Sequence, residues 1–211
     1  MSDQPRSLKD LLSPELTAGV LEGEVTPEPA LRKDDVCILV AGLRGYAEWC
    51  ESRDPMGVGT ALCALYAPLL ECLARRGGTL DRFLAGGLIG LFGAPIHETG
   101  EHDQALHCAL EMVAAADRVG PENSLPPLAI AIATGPVAVG FIGGGPALCY
   151  TAVGDVVNVA LSLQRYACCT DARVVASEAF VRAASKPDEA GMLAAVQLDD
   201  RKEPVQAFRL A

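Results

Sequence analysis

The order of strand-like and helix-like segments predicts a mixed α+β or α/β sandwich. Three observations carry that expectation. VCILVAGL (36–43) is a continuous apolar run of strand length, as a strand buried on both faces requires. GVGTALCALYAPLLECLARRGG (57–78) repeats Val58, Leu62, Leu65, Leu69, Leu70 and Leu73 at helical spacing. GTLDRFLA (78–85) and LIGLFGAP (88–95) are short apolar segments joined by Gly86-Gly87, a hairpin turn signal.

Residues 1–33 are polar and broken by Pro5, Pro14, Pro27 and Pro29, and are read as an N-terminal arm. Within it, SPELTAGVLEGE (13–24) fits one short helix, with Ser13 as N-cap and Pro14 at the first helical position. The domain is expected over 34–211, opening with the strand DDVCILVAGL (34–43). Arg75 and Arg76 suit the C-terminal dipole of the 57–78 helix, Gly77-Gly78 end it, and Pro68 predicts a kink. A second helix spans 101–119, amphipathic through Ala105, Cys108, Ala109, Met112 and Val113. A loop over 121–127 leads to two strands, 128–135 and 137–144. The Gly140–Gly145 cluster reads as a tight turn, because no Gly-Lys-Ser/Thr follows to make a phosphate loop. TAVGDVVNVALSLQRYA (151–167) leads into a helix with Asp155 as N-cap, and the tail alternates strand and helix.

The 211 residues suffice for one domain with a real core. Half are hydrophobic but only 5% aromatic, so Ala, Val, Leu and Ile build that core. Seventeen basic against twenty-seven acidic residues give a net charge of −10, which disfavours nonspecific contact with nucleic acid or anionic lipid. The N-terminus lacks a signal-peptide core, and the apolar stretches are interrupted by Gly, Pro or charge before the roughly 18 residues of a span. The eight cysteines lie mostly inside apolar runs with no CxxC spacing, which reads as free thiols in a reducing cytoplasm; the Cys168-Cys169 pair leaves a redox role open. His97, His102 and His107 recur every five residues, a period that does not stack on one helical face and so does not read as a metal site.

Four segments, in this order, resemble the catalytic domain of class III adenylate and guanylate cyclases. VCILVAGLRGYAEW (36–49) is similar to the family's opening VTVLFADIRGFT, and GGTLDRFLAGGLIGLFGAP (77–95) to GGTVDKFIGDGVMAVFGAP. IAIATGPVAVGFIGG followed by YTAVGDVVNVALSLQ is similar to GIHTGEVVVGNIG followed by YTVIGDTVNLASRLE, and VQLDDRKEPVQAFRL (196–210) to LKGKSEPVEVYRV. The resemblance implies a ferredoxin-like βαββαβ sandwich with helices on one face. It also implies a head-to-tail dimer with sites at the interface. There, two Asp of one protomer hold two metal ions, and an Asn and an Arg of the other act on the ribose and phosphates.

Cyclisation is an in-line attack of the ribose 3′ oxygen on the α-phosphate, helped by two cations about 4 Å apart that carboxylates hold. Gly42 and Gly86 stand at the two Asp positions and carry no ligand atom. Asn158 is kept, Ser162 stands at the Arg position, and Arg165 lies three residues further on. Losing one preorganised donor costs on the order of 100- to 1000-fold. Arg82 and Thr151 match the base-reading positions, and are nucleotide contacts or simply strand residues; Asn158 is a ligand contact or a structural residue.

The expected function is therefore a catalytically inactive cyclase-like module that works by dimerising or docking in the cytoplasm. Its partner would be itself, a competent cyclase or another signalling protein. No cofactor, nucleic acid or membrane is expected. The alternatives are a metal-independent nucleotide sensor built on Arg82, Thr151 and Asn158, or an active cyclase (alone or as half of a heterodimer) with a displaced Mg or Mn site. With only about 33 residues before the core, any regulatory signal is expected from a partner or small ligand.

Overall fold

The computed structural model describes residues 22–23, 28–97, 99–144, 147–185, 191–197 and 204–211. The helix expected over 13–24 lies outside them, save for a turn at Glu22-Gly23.

In chain order come strand β1 (Ala30–Leu43), helices α1 (Tyr46–Glu51) and α2 (Pro55–Arg75), strands β2 (Thr79–Leu84) and β3 (Gly87–Phe92), helix α3 (Glu101–Asn123) and strand β4 (Leu128–Gly144). Strand β5 (Ala147–Val153), helix α4 (Asp155–Cys168), strand β6 (Val174–Ser177), helix α5 (Glu178–Ala183) and strands β7 (Gly191–Val196) and β8 (Val205–Arg209) follow. The sheet runs β2-β3-β1-β4-β6-β8-β7, with β5 paired to the far half of β4. In its first four strands each neighbour is antiparallel to the next, giving the ferredoxin-like βαββαβ arrangement.

The apolar run in β1 is buried on both faces, and this shapes the rest. Cys37, Leu39 and Ala41 face α2 and α3 through Leu65, Leu69, Leu73, Cys108 and Met112. Val36, Ile38 and Val40 face the opposite side, where α4 packs with Val157, Ala160 and Leu163. Helices therefore cover both faces, which corrects the one-sided arrangement the resemblance implied. A strand apolar on both sides cannot leave either to water.

Other boundaries move for local reasons. β1 begins at Ala30, since its first residues pair with β4 from Phe141 inward. α2 starts at Pro55, where the Asp54 carboxylate accepts from Gly57 N at 3.1 Å, and it continues through Pro68. α3 runs past Pro121 and ends at Ser124 in a left-handed conformation (φ 51°). β4 is one strand across Gly135-Pro136, not two. Its pairing with β6 ends at Ile132 and its pairing with β5 begins at Ala138. Pro136 thus sits where only β1 flanks the strand, a place that tolerates a missing N–H. Gly140–Gly144 belong to β4 rather than to a turn, and residues 145–146 between the strands lie outside the described set. Gly154, not Asp155, occupies the N-cap of α4.

One described helix, α2, is long and apolar enough to cross a membrane by length and composition, with a mean hydropathy of 1.5. In the fold it lays Ala61, Leu65, Leu69, Cys72 and Leu73 against the sheet.

Candidate functional site

The two glycines at the positions where the resemblance implies metal-binding Asp meet at one end of the sheet. Gly42, near the end of β1, pairs across to Gly87 of β3, and Leu43 N donates to the Gly86 carbonyl at 3.0 Å. Arg44, just beyond, ties this end to the chain after α4: its guanidinium donates to the carbonyls of Thr170 and of Ala172, the latter at 2.6 Å.

Beside these glycines lies a cavity of about 240 Å³ lined by Ala41, Gly42, Leu43, Gly45, Leu84, Ala85, Gln164, Arg165 and Cys168. Among the described residues, none that lines it is a carboxylate, and Arg165 is the one charged group on the wall. The resemblance implies two divalent ions here, and the residues do not fit them. A β-carbon on Gly42 would lie 2.5 Å from Gln164 Nε2, and one on Gly86 would lie 2.5 Å from Cδ2 of the Tyr46 ring. The space a ligating side chain needs is taken by an amide and a phenol. Among the described residues no group of three or more His, Cys, Asp or Glu is placed to hold a metal ion.

Gln164 is fixed by donating to Cys168 Sγ at 3.1 Å and, at 3.5 Å, to the Ala129 carbonyl. Tyr46 leans towards Trp49, with ring centroids 6.0 Å apart. A hydrogen bond with Cys50, helped by burial, pushes its hydroxyl up to about 12. On α4, Arg165 Nη2 donates to Ser162 Oγ at 3.0 Å, so the neighbouring guanidinium reaches back to the Arg position. Asn158 is exposed on the same helix, and no hydrogen bond engages its side chain among the described residues.

Arg82 and Thr151 come together in the fold. Arg82 Nη2 donates to Thr151 Oγ1 at 2.6 Å, and its Nε donates to Asp81 Oδ2 at 2.7 Å. Asp81 is the extra residue of a β-bulge in β2, and its side chain is only 1% exposed. The guanidinium is thus engaged twice within its own chain. The three histidines do not converge: His97 bridges Asp34 (2.8 Å) and Glu101 (3.1 Å), whereas His102 meets Thr134 Oγ1 at 3.1 Å.

Sequence reasoning missed Tyr46 and Gln164. A signal existed for Gln164, which stands four residues after buried Ala160 and so on the sheet-facing side of α4. Tyr46 gave none, because its contact with Gly86 joins segments forty residues apart.

Comparison with known proteins identifies the family and the fold. The family model described as adenylate and guanylate cyclase catalytic domain matches residues 28–190. Among curated relatives, an adenylate cyclase of Anabaena cylindrica is 28% identical over 164 residues, 72% of this chain and 31% of its own length. Adenylate cyclase 1 of Rhizobium meliloti is 28% identical over 151 residues, 69% of this chain and 23% of its own length. The chain thus spans less than a third of these relatives. Among solved structures, the guanylyl cyclase Cya2 superposes with a TM-score of 0.77 at 28% identity, covering 85% of this chain and 92% of that one. The adenylyl cyclase CyaB from P. aeruginosa superposes at 0.74 with 18% identity, over 85% and 95% of the two chains.

Proposed function

The chain belongs to the adenylate and guanylate cyclase catalytic domain family, and we propose that it is a non-catalytic member that acts by associating with another protein chain. The observation that carries this reading is that none of the described residues lining the cavity beside Gly42 is a carboxylate. Splitting a triphosphate at its α-phosphate puts negative charge on the leaving pyrophosphate, and divalent ions held by carboxylates neutralise it. Here the wall offers an amide, a thiol, one guanidinium and apolar side chains. A lone cation can attract a phosphate, but it does not generate an attacking alkoxide.

Association is supported by apolar surface that the fold leaves bare. Met56 at the start of α2 is 78% exposed, and Phe83 on the edge strand β2 and Val153 at the end of β5 are each 50% exposed. The partner class is a second copy or another cyclase-like or signalling chain, met in the reducing cytoplasm that free thiols suit. Two measurements test the proposal. Purified protein with manganese and either ATP or GTP forms no cyclic nucleotide above a no-enzyme control, and light scattering gives a mass above that of one chain, alone or with a candidate partner. Turnover at any manganese concentration overturns the non-catalytic reading.

A second reading, metal-free nucleotide binding, is favoured by Arg165 as the one charge on the cavity wall and by the uncommitted side chain of Asn158. Calorimetric titration with millimolar ATP or GTP in a chelator decides it, and absence of heat removes it.

A further inference from the structure

The three positions that have lost the family's functional side chains are not gaps. Each meets a neighbouring side chain of the same protein: Gln164 at Gly42, Tyr46 at Gly86 and Arg165 at Ser162. The first two contacts differ in kind. Over Gly42, the atom in the way is Nε2 at 2.5 Å, the far end of a flexible side chain, with Cδ at 3.1 Å and Oε1 at 3.5 Å. A rotamer change clears it, at the expense of the hydrogen bond to Cys168 Sγ. Over Gly86, the atoms are Cδ2 and Cγ of Tyr46 at 2.5 and 2.7 Å. Cγ is the first ring atom beyond the β-carbon, so clearing it means moving the whole ring and with it the packing of α1. Gly86 also has φ +74°, where an L-residue carries strain of its own.

We infer that Tyr46 is a resident plug of the position at Gly86 and that Gln164 is a displaceable one at Gly42. Restoring carboxylates at the two glycines therefore does not by itself rebuild a divalent-ion site: position 42 can accept the new side chain, and position 86 cannot until the ring is removed. This inference rests on the non-catalytic reading and deepens it, because the loss is locked in by packing as well as by composition. The locking residue, Tyr46, lies four residues along the chain from the first lost carboxylate position and forty from the second.

A double-mutant cycle isolates the contact. Gly86→Ala adds only a β-carbon, and its backbone strain is the same whether or not Tyr46 is present, so strain cancels from the coupling. The folding equilibrium constant lost on Gly86→Ala is expected to be recovered about fivefold or more in a Tyr46→Ala background. If Tyr46→Ala folds poorly, all four chains of the cycle are measured in the same stabilising osmolyte, which leaves the coupling readable. The matching cycle of Gly42→Ala with Gln164→Ala is expected to couple by less than about threefold. Manganese supplies the second readout: by electron paramagnetic resonance, Gly42→Asp/Gly86→Asp binds the ion at least tenfold more weakly than the same chain with Tyr46→Ala added. An additive cycle at Gly86 overturns the inference, as does equal manganese binding by the two Asp chains. Cyclase activity of the unaltered chain would instead sink the functional reading and leave the Gly86–Tyr46 coupling intact.

Discussion

Arg165 Nη2 rests on Ser162 Oγ, 3.0 Å away and about one turn along α4, so a cation already stands beside the position where the resemblance implies an arginine. Ser162→Arg would bring a second guanidinium to the same helical face. Like charges at this spacing cost a few tenths of a kcal/mol. The variant is expected to lose less than about 1 kcal/mol in urea unfolding and to gain no cyclase turnover. A loss beyond twice that figure would mean Ser162 has a packing role.

Arg82 is expected to serve Asp81 before it serves any ligand. The Asp81 carboxylate is 1% exposed and Arg82 is its one ion-pair partner, with Oδ1 unpartnered among the described groups. Arg82→Ala leaves that charge buried alone. Because the guanidinium itself is half exposed, the expected cost is about 2 kcal/mol, below the usual range for a fully buried pair. Thr151→Ala, which removes one hydrogen bond, is expected to cost about 1 kcal/mol. Denaturant titration checks both. Unchanged stability with lost nucleotide heat would reassign Arg82 to ligand binding.

Arg44 holds the sheet end that carries Gly42. Arg44→Met removes the donor to the Thr170 and Ala172 carbonyls, and stability is expected to fall by about 2–3 kcal/mol. Arg44→Lys is expected to recover less than half, because an ammonium lacks the planar fork that reaches both carbonyls. Full recovery by lysine would show that charge alone matters.

His97 makes stability depend on pH with a definite sign. Hydrogen bonds to Asp34 and then to Glu101 raise its pKa above the ordinary 6.5, against a burial penalty. The folded chain thus keeps a proton that the unfolded chain gives up sooner. This contribution is complete below about pH 6.5 and disappears as pH climbs through the folded value. Asp34 runs the other way: burial pushes it up, but hydrogen bonds from His97 and Arg32 outweigh that and lower it from 3.8. Its contribution is present above the ordinary carboxyl range and fades as pH drops through the folded value. His97→Gln is expected to flatten the decline in urea midpoint between pH 6 and pH 9. An unchanged slope would remove His97 from the account.

Thiol reactivity should divide the eight cysteines by depth. Burial pushes the Cys37 and Cys108 thiols well up, and both are fully enclosed. Cys63, Cys149 and Cys169 are exposed. Iodoacetamide at pH 8, read by peptide mass, is expected to label those three within minutes and Cys37 and Cys108 only after unfolding. Rapid labelling of Cys37 would indicate that β1 opens locally.

Much of this was legible in the chain. An unbroken apolar run announced a strand covered on both sides, and the Gly86-Gly87 signal announced a hairpin between β2 and β3. Other features were hidden for physical reasons. β5 was absorbed into the lead of α4, because Tyr150, Thr151 and Val153 are too few to show alternation. Pro136 looked like a break because only tertiary pairing reveals that β1 alone flanks it. The filling of Gly42 and Gly86 depends on how α4 and α1 lie across strands distant in sequence, and no local pattern encodes that.

The bulge at Asp81 carries a consequence for the molecule's rim. β2 is a terminal strand, and its outer edge would otherwise be an open template on which a foreign strand could align. One surplus residue between Leu80 and Arg82 breaks the regular spacing of amide groups along that edge, and its acidic side chain is turned inward. Fibril-like growth from this border is thereby obstructed, even though Phe83 offers it an apolar foothold two residues later.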